Sequence, residues 1–368
     1  MVAFFCSTPY QILLAVNIKS TILKSGRADI YILNHFKDAD NLMKRLKSVG
    51  IFNKVETVNC IDFNSSFSRS KIVRLIQKIK IYIAYKKTVE RYFKFGNASY
   101  DAIYLTYPDV IIQLAIKELS DRNPKIKIHM YEDGTGGYSS EILATSIYKK
   151  LFNKLTGFGK TIDKYDSIMV FIPELYSGST DSHKVKIPSI NKNDLVLKNK
   201  INEVFGYCVE EMINEKIIFF EQPMNNVLGL NDKIKEIAAE ILIADYIVKL
   251  HPRSETEKFI GFNVYQNKGT PWEILSLNGD IEEKVLISLC STASISNKII
   301  FDKEPIIIFL YDMEELKELY QIGEKTKEFI EKFKTTYRDP SRILIAKNVT
   351  EIQEYLSKIL QLKVKDAN

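Results

Sequence analysis

The chain has 368 residues, of which 45% are hydrophobic and 27% charged, as in ordinary globular proteins. This length exceeds what one hydrophobic core usually organises and predicts two domains. The net charge of +6 favours an anionic ligand or surface. No zinc-finger spacing or basic–aromatic array is present, so nucleic acid is not an expected partner.

Short β-rich runs alternate with longer helical patterns along the whole chain. The first series of predicted strands consists of Val2–Cys6, Asp29–Leu33, Lys54–Val58, Ala102–Leu105 and Lys127–Tyr131. The second consists of Lys216–Phe220, Tyr246–Leu250, Asn263–Gln266, Val285–Leu289, Pro305–Phe309 and a short last strand, Arg342–Ala346. Such alternation is typical of parallel sheets covered by helices on both faces, so the predicted fold class is α/β with two domains.

Helical periodicity marks many of the connections between these strands. The clearest helical patterns are Gln11–Lys24, Asn41–Val49, Val110–Leu119, Lys233–Ile243, Met313–Leu319 and the tail Glu351–Val364. Residues 172–200 are rich in Pro, Ser, Gly and Asn and predict an irregular connection. The predicted divisions are an N-terminal domain over 1–175, a C-terminal domain over 200–345 and a terminal helix within 346–368.

The four cysteines lie far apart and form no C-x-x-C pair, which favours free thiols over disulfides or zinc ligands. The opening Met1–Cys6 lacks the basic region of a signal peptide. No apolar run approaches the length of a membrane span. These features predict a cytoplasmic protein.

The predicted strand Lys127–Tyr131 is followed by Glu132, Asp133 and a turn that contains Gly134 and Gly136. Glycines at such a position let the backbone turn tightly and approach a ligand. A carboxylate on this turn, Asp133, can take a proton from a bound hydroxyl group. The alternative interpretation is a tight turn with a helix cap and no catalytic role.

A second strand, Ile247–Leu250, stops at Pro252 and brings His251 and Arg253 to its carboxyl end. In open parallel sheets, ligands bind at that edge. A histidine there can neutralise or protonate a departing phosphate, and Arg253 can add positive charge. The alternative is a histidine that only satisfies the hydrogen bonds of the strand end.

Two further turns follow predicted strands of the second series. In Gly269–Glu273, the carboxylate of Glu273 stands at the start of a helix, where it can hold the two hydroxyls of a ribose. Ser291, Thr292 and Ser294 offer donors to a phosphate at a helix N-terminus. Each turn also has a purely structural interpretation, as a helix cap or a favourable first-turn charge.

Two other motifs carry little weight. Asp38 and Asp40 have the D-x-D spacing of a metal-bound nucleotide site, but they fall at the apparent start of a helix. The segment Gly157–Thr161 resembles the end of a P-loop without the first glycine of that motif. Because no His/Cys cluster is present either, no metal ion or cofactor is expected.

The range Ile72–Lys94 places five apolar residues on one helical face, with basic residues around it and Glu90 as the only acid. The five are Ile72, Leu75, Ile76, Ile79 and Ile83. A basic amphipathic helix of this kind suits an anionic membrane surface. The alternative is a helix that packs on its own sheet.

Four of these features occur in a fixed order along the chain: Phe5–Gln11, the turn Tyr131–Gly134, the strand end Lys249–Pro252 and the Ser291–Thr292 turn. Together they resemble glycosyltransferase family 52, which contains bacterial sialyltransferases that decorate lipooligosaccharides and capsules. The resemblance covers roughly residues 1–345.

That resemblance implies two Rossmann-like domains facing a cleft, in the glycosyltransferase B-type architecture. The N-terminal domain would face the acceptor and the C-terminal domain would bind the nucleotide sugar. CMP-sialic acid is the implied donor substrate, a galactoside-terminated glycan is the implied acceptor, and transfer proceeds with inversion and without metal. Some members of the family are dimers, so a homodimer is expected, working in the cytoplasm or at the inner face of the cell membrane.

By the same resemblance, Asp133 is the general base and His251 assists departure of the phosphate. Glu273 binds the ribose, while Ser291 and Thr292 bind the phosphate. The other expected site residues are the donor-binding Arg253 and Ser294 and the cleft residues Thr8, Gln11, Gly134 and Gly136. Two alternatives stay open: a transferase that uses a UDP- or GDP-hexose, and a non-catalytic glycan-binding protein.

Overall fold

A computed structural model describes most of the chain. The described residues are 1–36, 38–68, 70–139, 158, 165–178, 182–224, 227–242, 245–252, 254, 259–267 and 269–366. They form two compact units, Met1–Gly206 and Tyr207–Asn368. Each unit has its own parallel sheet and its own core.

The first unit contains a seven-stranded parallel sheet in the order β3-β2-β1-β4-β5-β6-β7. The strands are Val2–Cys6 (β1), Ala28–Leu33 (β2), Lys54–Val58 (β3), Ala102–Leu105 (β4), Lys127–Tyr131 (β5), Ser167–Val170 (β6) and His183–Lys186 (β7). The central strands β1, β2 and β4 are almost wholly buried, as strands covered by helices on both faces must be. The strand order reverses between β1 and β4, and ligands of open α/β sheets bind at such a switch point.

Helices connect most of the strands of this sheet. They are Pro9–Thr21 (α1), Ala39–Val49 (α2), Cys60–Ser65 (α3), Lys71–Ile83 (α4), Tyr85–Tyr92 (α5), Val110–Arg122 (α6), Thr135–Ser139 (α7) and Leu195–Phe205 (α8). Helix α1 begins at Pro9 because the preceding Thr8 caps it: its side chain accepts a hydrogen bond from the Gln11 amide. Helix α8 ends at Gly206, which adopts the left-handed conformation that glycine favours.

The second unit contains a five-stranded parallel sheet in the order β12-β11-β10-β8-β9. Its strands are Ile217–Phe220 (β8), Tyr246–Lys249 (β9), Val285–Ser288 (β10), Ile306–Phe309 (β11) and Ile343–Ile345 (β12). The order reverses between β8 and β10, so this unit has its own switch point. Part of its core consists of Ile218, Phe220, Trp272 and Leu286 packed together.

Five α-helices are described in the second unit. They are Leu230–Ile241 (α9), Trp272–Asn278 (α10), Thr292–Phe301 (α11), Glu324–Lys334 (α12) and Val349–Asp366 (α13). Among the described residues of both units, no helix is long and apolar enough to cross a lipid bilayer.

The predicted fold class, α/β with two Rossmann-like domains, is confirmed. The irregular connection expected over 172–200 is confirmed only in part, because strand β7 and the start of helix α8 lie there. Strand β7 lies at the edge of its sheet and is largely exposed, so its residues, His-Lys-Val-Lys, show no apolar run. The pattern of a buried strand is therefore missing from the sequence.

Three other predicted elements differ from the structure. The expected strand Asn263–Gln266 makes only an isolated bridge between Val264 and Val248. The expected helix Met313–Leu319 contains a single 3₁₀ turn, Glu314–Leu316. The amphipathic range Ile72–Lys94 falls into two helices, α4 and α5, which are separated at Ala84.

Candidate functional site

Asp133 lies on the turn that follows strand β5, as the sequence predicts. The turn is possible because Gly134 has a positive φ of 69°, a conformation that side chains disfavour. Asp133 is exposed to solvent, but the inner side of its carboxyl group packs against protein. This partial desolvation raises the pKa of the carboxyl above its usual value, and the hydrogen bond from Gln11 opposes the rise. A carboxylate with a raised pKa is a stronger base, so the turn suits proton abstraction.

Gln11 links the start of helix α1 to this carboxylate. Its side-chain nitrogen Nε2 donates to Asp133 Oδ2 over 3.1 Å, and its Oε1 accepts from the Ser7 amide over 2.6 Å. Since Thr8 caps the same helix end through the Gln11 amide, the structure brings Thr8, Gln11 and Asp133 together. Thr8 and Gln11 thus meet Asp133, which is more than 120 residues away in sequence, at the carboxyl edge of the first sheet.

Glu132 is a buried carboxylate for which no role was predicted from the sequence. It is only 1% exposed and accepts hydrogen bonds from the Tyr10 hydroxyl over 2.7 Å, from the Tyr138 hydroxyl and from the Phe171 amide over 3.3 Å. Burial raises the pKa of Glu132 to about 7, although these hydrogen bonds oppose the rise. Glu132 therefore joins helix α1, helix α7 and the end of strand β6 behind the Asp133 turn.

The glycines of this turn have different structural roles. The Gly137 amide donates to the Gly134 carbonyl over 3.0 Å, which starts helix α7 immediately after Asp133. Gly136 is exposed, and a Cβ atom there would meet nothing within 4 Å. Gly134 is thus required by its backbone conformation, whereas Gly136 faces open space.

His251 lies directly after strand β9, at the carboxyl edge of the second sheet. Its side chain is partly exposed. Its backbone amide donates to Glu221 Oε2 over 2.9 Å, and its carbonyl accepts from the Ser254 amide over 2.9 Å. The second oxygen of Glu221 accepts from the Ser254 hydroxyl over 2.7 Å. Glu221, which the sequence analysis missed, therefore holds the turn that carries His251.

The predicted serine turn follows strand β10 and opens helix α11. Ser291 caps the helix by accepting from the Ala293 amide over 3.3 Å, and Thr292 is the first helical residue. Both are partly exposed. Ser294 is fully buried, and its hydroxyl lies 2.9 Å from that of Ser288. Ser291 and Thr292 therefore lie partly at the surface, whereas Ser294 supports the turn from inside.

Gln222 is a second residue that the sequence analysis missed. It follows Glu221 at the end of strand β8, and its Oε1 accepts from the Cys290 amide over 3.2 Å. The pair could have been found, since Glu221 and Gln222 are polar residues directly after a buried strand, the feature that marked Asp133 and His251.

Glu273 occupies the first turn of helix α10, as expected, but it is buried. It is 8% exposed, and burial raises the pKa of its carboxyl, while the charge of Lys249 and a hydrogen bond from Ser296 oppose the rise. Lys249 is buried too, donates to the Thr270 carbonyl over 3.2 Å, and burial lowers its pKa to about 8. Glu273 and Lys249 thus lie together in a buried polar region, and only a small part of the Glu273 side chain faces solvent.

Arg253 lies outside the described residues. Among the residues that the structure does describe, no group of three His, Cys, Asp or Glu side chains could hold a metal ion. The expected site residues therefore fall into two groups. Thr8, Gln11, Asp133, Gly134 and Gly136 belong to the first unit, and His251, Glu273, Ser291, Thr292 and Ser294 belong to the second.

Solved structures share this fold. An alpha/beta-galactoside alpha-2,3-sialyltransferase from the luminous marine bacterium Photobacterium phosphoreum is similar at a TM-score of 0.51 and 11% identity, covering 95% of this chain and 98% of that chain. A UDP co-structure of MnaA from S. aureus is similar at a TM-score of 0.52 and 9% identity, covering 98% of this chain and 87% of that chain. At these identities the likeness shows the fold alone, and this fold is that of the B-type glycosyltransferases.

A family model described as alpha-2,8-polysialyltransferase (POLYST) matches residues 3–309. Because this range includes more than half of the chain, the protein belongs to the alpha-2,8-polysialyltransferase family, a family of sialyltransferases. No curated protein sequence matches the chain significantly. The narrower resemblance to glycosyltransferase family 52 is not confirmed and stays a prediction.

Proposed function

We propose that this protein is an inverting sialyltransferase that moves sialic acid from CMP-sialic acid to the end of a bacterial surface glycan. The observation that carries the proposal is the family match over residues 3–309, since this range contains both the Asp133 turn and the turns after strands β8, β9 and β10. The resemblance to family 52 supports the same reaction.

In the proposed reaction, the second unit holds the donor. The side chains of His251, Ser291 and Thr292 approach the phosphate of CMP, and the first-turn amides of helix α11 add favourable dipoles. His251 and Arg253 stabilise the negative charge that develops on the phosphate as the glycosidic bond breaks. Glu273 contacts the ribose through its exposed edge.

In the same reaction, the first unit supplies the base. Asp133 removes the proton of the acceptor hydroxyl as its oxygen attacks the anomeric carbon of sialic acid from the face opposite to CMP. The bond to CMP breaks as the new bond forms, so the configuration inverts. CMP is a good leaving group without further activation, and we propose that transfer needs no metal ion.

Two acceptors are consistent with these observations. The motifs resemble enzymes that act on a terminal galactoside, whereas the family description, alpha-2,8-polysialyltransferase, favours a terminal sialic acid. We propose the sialic acid terminus as the acceptor and the galactoside as the second candidate.

A transfer assay tests this proposal. Purified protein is incubated with CMP-sialic acid and either a sialoside or a galactoside, with EDTA present, and the products are analysed by mass spectrometry and linkage analysis. We expect sialic acid to be added to one acceptor with release of CMP. Transfer from a UDP- or GDP-hexose instead would establish the alternative transferase, and loss of activity with EDTA would overturn metal independence.

The Asp133→Asn variant tests the base. Asparagine keeps an oxygen that accepts from Gln11 but cannot take up the proton, so kcat should fall on the order of 10²–10⁴-fold while CMP binding is retained. Asp109→Asn is the matched control, because Asp109 caps helix α6 after the neighbouring strand β4 and asparagine caps equally well. Normal turnover of Asp133→Asn would end the assignment.

We also propose that the protein works at the cytoplasmic face of an anionic membrane, attached through helix α4. The apolar side of this helix is open to solvent: Val73, Leu75, Ile76 and Ile83 are 45%, 56%, 48% and 74% exposed. Basic residues accompany them, namely Arg74, Lys78 and Lys80 on the same helix and Lys86 and Lys87 at the start of helix α5. An exposed apolar strip with a basic border matches the chemistry of anionic lipid headgroups above acyl chains.

A further inference from the structure

Strand β8 lies between the two strands whose turns are proposed to hold the donor. Its neighbours in the sheet are β9, which leads to His251, and β10, which leads to Ser291. All three strands run in the same direction, so their carboxyl ends lie side by side at one edge. The strand order reverses between β8 and β10, and the end of β8 therefore borders the switch point of this sheet.

Two consecutive residues that follow β8 form hydrogen bonds to the turns on either side of this strand. Glu221 is 7% exposed, and its two carboxylate oxygens accept from the His251 amide over 2.9 Å and from the Ser254 hydroxyl over 2.7 Å. Gln222 accepts from the Cys290 amide over 3.2 Å, immediately before Ser291. One residue is thus tied to the turn after β9, and the next residue is tied to the turn after β10.

A cavity of about 460 Å³ opens beside this pair. Its lining includes Glu221 and Gln222 together with Asn231, Asp232 and Lys235 of helix α9. The residues that bond to the two turns therefore also line an open space.

We infer that Glu221 and Gln222 are positioning residues that fix the His251 turn and the Ser291 turn relative to each other for the transfer reaction. The inference rests on the proposed function. Glu221 acts through His251, and Gln222 acts through the Cys290–Ser291 backbone. A catalytic group that is misplaced by about 1 Å can lower the reaction rate on the order of 10²-fold. Two turns that bind the same phosphate must therefore be held at a fixed distance, and the hydrogen bonds of Glu221 and Gln222 connect them.

The two residues are expected to differ in their kinetic effects. Glu221→Ala releases the His251 turn and should lower kcat on the order of 10²-fold with the KM for the acceptor unchanged. Gln222→Ala removes one hydrogen bond from the Ser291 turn and should raise the KM for CMP-sialic acid roughly tenfold. Glu221→Gln and Gln222→Glu keep an acceptor oxygen for the His251 and Cys290 amides, so both should retain most of the activity.

Double variants separate positioning from a general loss of structure. If Glu221 acts through His251, Glu221→Ala should cause little further loss of kcat in a His251→Ala background. Gln222→Ala should likewise add little to a Ser291→Ala variant. Asp232→Asn is the control, since Asp232 lines the same cavity but belongs to helix α9 and is exposed. Losses that multiply in the double variants would overturn the inference.

A measurement without substrate keeps this test apart from the proposed function. The chain has four histidines, so the ring NMR signals of His251 can be assigned with a His251→Ala variant. They should shift in Glu221→Ala, return close to the wild-type position in Glu221→Gln, and stay in place in Asp232→Asn. Unchanged His251 signals in folded Glu221→Ala would overturn the inference even if sialic acid transfer is observed. If these shifts are present but the wild-type protein transfers no sialic acid, the proposed function is contradicted and the positioning of the His251 turn by Glu221 is not.

Discussion

The two carboxylates that follow strand β5 are neighbours in sequence but have opposite surroundings. Glu132 points into the protein and accepts three hydrogen bonds, whereas Asp133 is exposed. The sequence showed that two acids end this strand, and strand alternation indicates that one of them faces inward. It could not show that Tyr10 and Tyr138 would meet Glu132, because those contacts depend on how helices α1 and α7 pack.

Glu132 should make the stability of the protein depend on pH. Its pKa is about 7 in the folded state against 4.5 ordinarily, so the folded state binds more protons between these values. Stability should therefore fall as pH rises from 4.5 to 7, by on the order of 3 kcal/mol for this group. Urea unfolding at a series of pH values measures the slope.

The Glu132→Gln variant isolates this effect, since glutamine carries no titrating proton. Its stability should decline less than that of the wild type over the same pH interval. Glu174→Gln, at an exposed position, is the control and should follow the wild-type curve. Parallel curves for Glu132→Gln and the wild type would show that Glu132 is not the group responsible.

At the level of elements, most buried strands were predicted well, whereas the short buried strand β6 and the exposed strand β7 were missed. Strands β1 and β10 are apolar runs that end at polar turns, so both the strands and their site residues could be found in the sequence. Strand β7 is exposed at an edge and shows no such run. The expected strand Asn263–Gln266 failed for a different reason. The Asn263 and Gln266 side chains bond to the Tyr246 and Val264 carbonyls, and such local bonds compete with a regular ladder.

Helix α4 also shows where the sequence pattern was ambiguous. An apolar face can pack on a sheet or face a membrane, and only the exposure of Ile76 and Ile83 separates the two cases. Tyr82 of this helix contacts the core: its ring packs on Phe158 at 4.6 Å, and its hydroxyl donates to Gln113 over 2.6 Å.

We expect the protein to float with liposomes that contain anionic lipid, and to be released by salt. Each Lys or Arg near such a surface contributes about 1 kcal/mol, so reversing the charge of Lys78, Lys86 and Lys87 to Glu should abolish flotation. Replacing Ile76 and Ile83 by Ser should weaken it by removing apolar contact. Flotation and sedimentation with neutral and anionic vesicles measure both effects.

Val209→Ser is the control for this experiment, because Val209 is 69% exposed but is followed by two glutamates. It should float like the wild type. Wild-type protein that stays off anionic liposomes at low salt would contradict the proposal. A change in oligomeric state of the Ile76 and Ile83 variant, without any lipid effect, would indicate that a second copy of the chain covers this face instead.

For the whole molecule, the division into two units separates the proposed donor residues from the proposed base. The first unit contains Asp133 and the second contains His251, Glu273 and Ser291, each on its own sheet. The two-sheet fold could be predicted from alternating patterns, and so could the strand ends. The partners of the buried acids could not, since Glu132, Glu221 and Glu273 are held by residues far away in sequence. The expected homodimer stays a prediction.

A nucleotide that binds the folded second unit should stabilise the protein. At a concentration 100 times the Kd, a ligand adds about 2.7 kcal/mol, enough to raise the melting temperature by several degrees. We expect CMP to give this shift in a thermal melt and UDP and GDP to give none. A shift with UDP or GDP alone would favour the hexose transferase, and no shift with any of the three would favour the non-catalytic glycan-binding protein.

The strand that leads to His251 lies at an edge of its sheet, and an open edge can recruit a strand from another chain. Here Val248, in the middle of that strand, is already occupied: its amide donates to the Asn263 carbonyl over 2.7 Å, and its carbonyl accepts from the Tyr265 amide over 2.9 Å. A short stretch of the same chain thus blocks the outer edge next to the proposed donor site. The consequence is resistance to intermolecular β-pairing, and so to aggregation, at the strand whose tip carries His251.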